Sequence, residues 1–393
     1  MPAVGHALLS PSSSNRWIHC TPSARLEENV PDEGSIYAEE GSCAHALCEA
    51  TLLGLLNAER NGQYAEAEKK AKAEYEDGRE RFYSTAMQDA VDVYVSNVWE
   101  KYLFAIDITP DAELFVEKRL DFGKYIPGSF GTADAIIIAD GMMEVIDFKY
   151  GRGVEVSAIE NTQMMIYALG ALDAYSWEYD IKSVRMTIIQ PRKANVSEYE
   201  RTVEELQTWQ ENVLTPAAER ANKGEGEQKP GEWCRFCRVK ARCSCLAAQS
   251  VKVYKENETK ELITPAQMSG LLALIPAIKS WCTAVEEYAL ARAVDGEAYA
   301  GWKVVEGRSI RKIVEPDLLA AKLIEAGYKD IYKPVELRPL GELEKLVGKK
   351  DFSSLSKGMV EKPEGKPVLV PESDKREAKV YSRAAKDFEN INL

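Results

Sequence analysis

Apolar positions recur along this chain at two periods, and the change from one to the other marks the elements. From Glu39 to Leu56, and again from Phe82 to Phe104 (Met87, Val91, Tyr94, Val95, Val98, Trp99, Tyr102), they fall every three or four residues, the spacing of a helix with one buried face. Leu114 to Phe122 alternates as a strand does, and Ala135–Ala139 and Met143–Lys149 are short β-prone apolar runs. Helical spacing returns in Ile159–Trp177, Val184–Gln190 reads as a strand closed by Pro191, and Val203–Asn222 reads as a helix that Pro216 breaks or kinks. Ser10–Asn15 is a run of capping and turn residues leading into a short helix over Arg16–Cys20, Tyr64–Asp77 is a charged helix or linker, and Gly224–Glu232 is a loop. Alternating elements of this kind predict a mixed α and β protein.

Asp140-Gly141 separates the two central runs and predicts a two-residue hairpin turn. Such a turn fixes the register. With Ala139 opposite Met142, Ile137 faces Glu144, Ala135 faces Ile146 and Asp134 faces Asp147. Two carboxylates set opposite each other destabilise a strand pair unless something neutralises them, and a divalent cation does so. Lys149 follows Asp147 by two residues and leaves the strand on the same side. Hard Mg2+ or Mn2+ takes such oxygen ligands, and a neighbouring Lys orients or deprotonates an attacking water. The plainer alternative is a pair of solvated carboxylates at a strand end, with Lys149 paired to either.

Two helical pairs bear on that choice. Gln163 and Tyr167 lie at i and i+4, as do His45 and Glu49, so each pair shares a helix face. Taken singly, the first pair could edge a core and His45 could be a satisfied buried histidine. Taken in order, Gly41…His45…Glu49, Gly131-x-x-Asp134, Asp147-x-Lys149 and Gln163-x-x-x-Tyr167 resemble the motifs of the RecB-like branch of the PD-(D/E)xK nucleases, most closely a phage and prophage family within it. The likeness spans about the first 250 residues. Ala133 stands where the superfamily's proline would be. The resemblance implies a restriction-endonuclease-like αβββαβ core. It implies His45, Asp134, Asp147 and Phe148 as metal positions, Lys149 as catalytic with Glu49 in the same group, and Gln163 and Tyr167 positioning Lys149 or DNA.

Composition limits the setting. The 393 residues are 45% hydrophobic and 29% charged, as in ordinary globular proteins, and no apolar run approaches the length of about 20 residues that spans a bilayer. With no signal-peptide pattern at Met1–Ser14, the expectation is a cytoplasmic protein, under the resemblance in a bacterial host, with no membrane partner. The net charge of -13 opposes indiscriminate nucleic-acid binding. It is uneven: residues 1–250 hold 26 basic against 40 acidic side chains, residues 251–393 hold 24 against 23. An acidic nuclease half needs a local basic channel or a partner that delivers DNA, and the resemblance suggests a single-strand annealing or single-strand binding protein.

Eight cysteines in a cytoplasmic chain argue for metal or redox use where they cluster. They cluster at Cys234-x-x-Cys237-x5-Cys243-x-Cys245. A structural Zn2+ on these four thiolates is one reading. Iron-sulfur members of the RecB-like branch instead join three such cysteines to one far upstream, which here is Cys20, and imply a [4Fe-4S] cluster on Cys20, Cys234, Cys237 and Cys243. Cys245, Cys43, Cys48 and Cys282 are then ordinary thiols. Arg235, Arg238, Lys240 and Arg242, interleaved with the cysteines, are the local candidates for DNA phosphates, or else solvated charges around a knuckle.

Beyond Ser250 the character changes. Thr264-Pro265-Ala266-Gln267 opens a helix to about Val294, Gly301–Val314 reads as a hairpin with Trp302, Arg308, Arg311 and Lys312, and Pro316–Ala326 and Leu340–Leu346 are short helices. Residues 251–356 are read as a small accessory domain of unknown role and 357–393 as an extended or disordered tail. The expected function is metal-dependent hydrolysis of DNA, exonucleolytic and in phage replication or recombination by resemblance. The alternatives are a non-catalytic DNA-end-binding or recombination subunit of the same fold, and an RNA nuclease.

Overall fold

The computed structural model describes residues 7–31, 34–256, 264–309, 311–332, 337–361, 365, 367–371 and 376–379. Helices α1 (Ser14–His19), α2 (Ser23–Glu27), α3 (Ile36–Glu59), α4 (Ala65–Phe82) and α5 (Thr85–Ile108) come first. Ser35 and Ser84 cap α3 and α5, each accepting a backbone N–H three residues on. Strands β1 (Glu113–Asp121), β2 (Phe130–Ala139) and β3 (Gly141–Phe148) follow, then α6 (Thr162–Tyr175), β4 (Ile181–Gln190) and β5 (Asn195–Thr202). The sheet order is β1-β2-β3-β4-β5, antiparallel except for β3 and β4, which run parallel and are joined through α6. Helix, three strands, helix, strand is the element order expected, in a mixed α and β fold.

The hairpin register is the predicted one. Ala139 pairs with Met142, Ile137 with Glu144 and Ala135 with Ile146, and Gly141 takes the positive φ (80°) that the turn requires. Strand β2 is buried on both faces, which explains its unbroken apolar run. Ile136 and Ile138 join α6 in one core, with Leu206, Leu214, Ala217 and Ala218. Ala135, Ile137 and Ala139 join a second core built from α3, α4 and α5. The buried Glu144 is matched rather than bare: Thr187 Oγ1 donates to it at 2.6 Å and Lys101 Nζ lies 2.7 Å away.

Three elements differ from the expectation. Asn195–Thr202 has too few apolar residues to read as a strand, yet it is the edge strand β5, alternating half-buried and exposed. The helix expected over Val203–Asn222 is two, α7 (Val203–Trp209) and α8 (Thr215–Lys223), joined by one π-helical turn over Gln210–Leu214. Pro216 opens α8 in its first turn, where its missing N–H costs no hydrogen bond. Third, Gly301–Val314 is not a hairpin. Its β6 (Trp302–Glu306) pairs with β9 (Pro367–Pro371) and its β7 (Lys312–Ile313) with β8 (Val360–Glu361).

The chain forms two compact units, 1–278 and 279–393. The division lies within α10 (Pro265–Val294), downstream of α9 (Ser244–Glu256) and of residue 250, where the sequence changes character. In the second unit α11 (Pro316–Glu325), α12 (Leu340–Val347) and α13 (Lys349–Leu355) pack Leu319, Leu323, Leu343, Val347 and Phe352 into a small core. Of the segment 357–393, read as extended or disordered, residues 362–364, 366, 372–375 and 380–393 lie outside the described residues. The described part includes β8 and β9. Among the described residues no helix is long and apolar enough to cross a membrane.

Candidate metal centre

Asp134 sits on β2, between β1 and β3, with an acidic residue on each side. Continuing the β2–β3 register sets it against Asp147, and the β1–β2 pairs Val116–Ala135 and Lys118–Ala133 set it against Glu117. His45, on α3, closes the group: its Nδ1 lies 3.4 Å from Asp134 Oδ1 and 3.8 Å from Glu117 Oε1. One ligand atom each from His45, Glu117 and Asp134 lie within 4.8 Å of one another, close enough to share one cation. The second Asp134 oxygen accepts the Phe148 backbone N–H at 2.7 Å, which fixes the carboxylate's orientation. Phe148 itself, expected among the metal positions, places its buried ring 5.2 Å from the His45 ring.

Asp147 stands outside that triad of atoms and is tied to the catalytic candidates instead. Lys149 Nζ donates to Asp147 Oδ1 at 3.1 Å and to Gln163 Oε1 at 3.3 Å, and Gln163 Nε2 donates to Asp147 Oδ1 at 3.3 Å. The other oxygen, Oδ2, is buried and makes no hydrogen bond; Lys149 Nζ is 2.9 Å from it as an ion pair only. Helix α6 delivers Gln163 because Asn161 caps it, accepting the Met164 N–H at 3.2 Å. Tyr167 is buried one turn on, and a Cβ at Gly131 would come 3.0 Å from its ring, which accounts for the glycine of the Gly131-x-x-Asp134 motif. A Cβ at Gly41 would meet nothing.

The electrostatics follow from crowding carboxylates in a poorly solvated place. Burial alone would lower the His45 pKa, but Asp134 and then Glu117 outweigh it and push it up to about 10. For Asp134 burial acts upward, and His45 with the Phe148 N–H outweighs it, holding this carboxyl below the usual range. For Asp147 burial prevails over Lys149 and the pKa stands above the usual range. Burial lowers Lys149, but Asp147 overcomes this, so its ammonium holds its protons more tightly than a free lysine. Glu117 is raised, chiefly by burial. Burial and the nearby Glu117 push Glu49 up to about 7, so it belongs to the same acidic neighbourhood.

Glu117 is the residue that sequence reasoning did not find. Its backbone is in the left-handed region, φ 45°, in the middle of β1. An L side chain there is strained.

Residues 6–377 match one protein family, described as Protein of unknown function (DUF2800). The chain belongs to that family. Among solved structures it is similar to one titled "Crystal structure of SSO0001", with 16% identity and a TM-score of 0.22 over 59% of this chain and 96% of that one. A likeness of that size carries no argument about fold or function.

This DUF2800 chain also brings its distant cysteines together. Cys20, at the end of α1, lines one pocket with Cys234, Cys237, Cys243 and Cys245. The N-terminal segment is laced to the returning chain: Thr21 Oγ1 donates to Glu225 O at 2.5 Å, Arg25 Nε to Asn222 O at 2.6 Å and Arg16 Nη1 to Phe236 O at 3.2 Å. The buried Glu27 pairs with Arg16 at 2.7 Å and accepts the Arg238 N–H at 2.5 Å. Burial pushes the Cys237 thiol up to about 12, with Glu27 adding to it. Cys245 donates to Gln228 O at 3.2 Å. Cys43 and Cys48 are buried and Cys282 is exposed. Of the four interleaved cations, Arg238 Nη1 is committed to Val30 O and Lys240 Nζ to Arg235 O, both at 2.8 Å, and Arg235 lies over the Phe236 ring. Arg242 is likewise engaged within the fold. These side chains serve the knuckle's own structure as well as any ligand.

Proposed function

We propose that this DUF2800 chain is a metal-dependent nuclease of the RecB-like PD-(D/E)xK type that hydrolyses phosphodiester bonds in DNA. The observation that carries the reading is the convergence of His45, Glu117 and Asp134 beside an Asp147–Lys149–Gln163 network, in a sheet whose element order is the one such nucleases use. The donor set fits a hard divalent cation: one imidazole and two carboxylates whose ligand atoms lie within 4.8 Å of one another. A bound Mg2+ or Mn2+ supplies Lewis-acid neutralisation of phosphoryl charge and acidifies a coordinated water. His45, Glu117 and Asp134 would hold it, with Asp147 as the ligand nearest Lys149. Lys149 keeps its protons at Nζ, so it acts as a donor to the water or the phosphate, aimed by Asp147 and Gln163. Exonucleolytic action, a setting in phage replication or recombination in the bacterial cytoplasm, and delivery of DNA by a single-strand annealing or single-strand binding protein extend the reading by resemblance.

By the same resemblance we propose a [4Fe-4S] cluster on Cys20, Cys234, Cys237 and Cys243, a reading that the shared pocket of Cys20 with the C-terminal cysteines supports; a single Zn2+ on Cys234, Cys237, Cys243 and Cys245 is the alternative. Such a site adds its binding energy to folding.

The test is a degradation assay with end-labelled single- and double-stranded DNA and RNA in Mg2+, Mn2+ or EDTA. Metal-dependent loss of labelled DNA is expected. No cleavage of any substrate, with the DNA bound intact, would identify a binding subunit instead, and preference for RNA would move the substrate class.

A further inference from the structure

The ends of β3 and β4 lie side by side, Lys149 N donating to Ile189 O at 2.9 Å, and the residues just past them, Tyr150 and Arg192, meet. Arg192 follows β4, and its guanidinium carbon stands 4.3 Å from the centroid of the Tyr150 ring, next in chain to Lys149. Arg192 Nη1 donates to Glu40 Oε1 at 3.4 Å, and Tyr150 OH donates to the same oxygen at 3.1 Å. Glu40 is on α3, little more than a turn before His45. Arg192 is therefore fixed from two sides against elements that also carry Lys149 and His45.

The fixing leaves the guanidinium under-used. It has five N–H donors in a planar fork. One of them makes the long bond to Glu40 and Nε is buried over Tyr150 with no hydrogen bond, so on a side chain 17% exposed the donors left for a ligand are those of the Nη edge. An unmade hydrogen bond on a buried cation is expensive, and nothing about holding Tyr150 requires it. A fork of this kind matches the oxygens of a phosphate in two parallel bonds. Residues 1–250 are acidic overall, so a cation held against the elements that carry Lys149 and His45 is where a polyanion can approach them.

We propose that Arg192 binds a backbone phosphate of the nucleic-acid strand adjacent to the bond presented to Lys149, with Tyr150 as its platform and Glu40 as its tether. The proposal rests on the nuclease reading and adds a substrate-binding residue to it. Three full-length variants, Arg192→Gln, Arg192→Lys and Glu40→Gln, are compared with the parent for binding of labelled single-stranded DNA over a salt series, with Ca2+ replacing Mg2+, and for KM and kcat in Mg2+. Arg192→Gln is expected to raise Kd and KM about tenfold with kcat little changed, and to reduce the slope of log affinity against log salt by about 0.7, one phosphate's share. Arg192→Lys should recover the slope and part of the affinity. Glu40→Gln removes the competing carboxylate, so Kd should fall; this variant keeps the test decisive if Arg192→Gln does not fold. Unchanged slope and KM in Arg192→Gln, or a lowered unfolding temperature with the slope intact, overturns the Arg192 assignment while leaving the nuclease reading standing. A parent protein that neither binds nor cuts nucleic acid overturns both.

Discussion

Glu117 stands across the β1–β2 ladder from Asp134, and it does so with a φ of 45°. A left-handed backbone at an L residue costs about 1–3 kcal/mol, and the opposed carboxylates add a repulsion to it. Both penalties fall on the residue whose carboxylate reaches His45 Nδ1. Strain and repulsion meeting at one position are what a cation bound between the two carboxylates would offset.

Glu117→Gln should therefore weaken Mn2+ binding at least tenfold, by analogy with other losses around a metal, while leaving the fold intact. Glu117→Gly goes further, because it removes the carboxylate and suits the backbone. In EDTA it should unfold at the same temperature as the parent or higher, the relieved strain outweighing the roughly 0.5–1 kcal/mol that a strand glycine costs. Calorimetric metal titration and thermal unfolding of both variants decide this; full metal affinity in Glu117→Gln would remove Glu117 from the centre.

His45 gives the site a pH signature. Its folded-state pKa of about 10 lies above the ordinary 6.5, so the stability contributed by its cation is complete below about pH 6.5 and is lost as pH rises to about 10. In EDTA the unfolding temperature of the parent relative to His45→Ala should decline across that window. With metal the trend inverts, because only neutral imidazole binds, and affinity should climb about tenfold per pH unit over the same range. His45→Ala should lose activity that added Mn2+ partly restores. A difference between the two unfolding curves that stays flat from pH 6.5 to 10 would contradict the His45–carboxylate pairing.

What the sequence disclosed and what it hid both have physical causes. Asp140-Gly141 is a two-residue turn with a glycine at positive φ, so the β2–β3 register could be counted outward from it as far as Ala135–Ile146. The β1–β2 connection runs over residues 122–129, and a loop of that length fixes no register, so Glu117 could not be set against Asp134. The strand β5 was hidden by its composition: an edge strand needs only one buried face, and Asn195–Thr202 offers Val196 and Tyr199 among polar residues. The segment Gly301–Val314 carries β-prone residues without a turn that would pair them to each other, and they found partners near the far end of the chain. Periodicity speaks for local pairing and is silent on distant pairing.

Lys149 and Asp147 separate catalysis from stability. Lys149→Ala should lower kcat at least a hundredfold, the least expected of a positioned proton-handling group, with metal affinity retained. Asp147→Asn should also abolish turnover, but an amide of the same shape keeps an acceptor for Lys149 and leaves no cavity. Asp147→Ala should be the less stable of the two, since it strands the Lys149 ammonium in a cavity. Rates from single-turnover assays and unfolding midpoints settle the ordering; wild-type turnover in both Lys149→Ala and Asp147→Asn would end the catalytic assignment.

Five thiols line one pocket, and a four-cysteine site must leave one of them out. Cys20 is separated from the others by the whole sheet in sequence, yet α1 and α2 are already bound to residues 222–238 through Thr21, Arg25 and Arg16. A cofactor there closes a loop around the five-stranded sheet, and its binding energy is folding energy because the site does not exist in the unfolded chain. With a [4Fe-4S] cluster on Cys20, Cys234, Cys237 and Cys243, protein purified without oxygen is brown. Cys20→Ser should then lose the colour and unfold several degrees lower, by analogy with losing about 2–5 kcal/mol at a covalent staple, while Cys245→Ser keeps both. With zinc on the four C-terminal cysteines the pattern reverses: colourless protein, Cys245 required and Cys20 dispensable. Iron, acid-labile sulfide and zinc assays on the parent and the two variants distinguish these outcomes, and stoichiometric zinc without iron would overturn the cluster even if Cys20→Ser proves unstable.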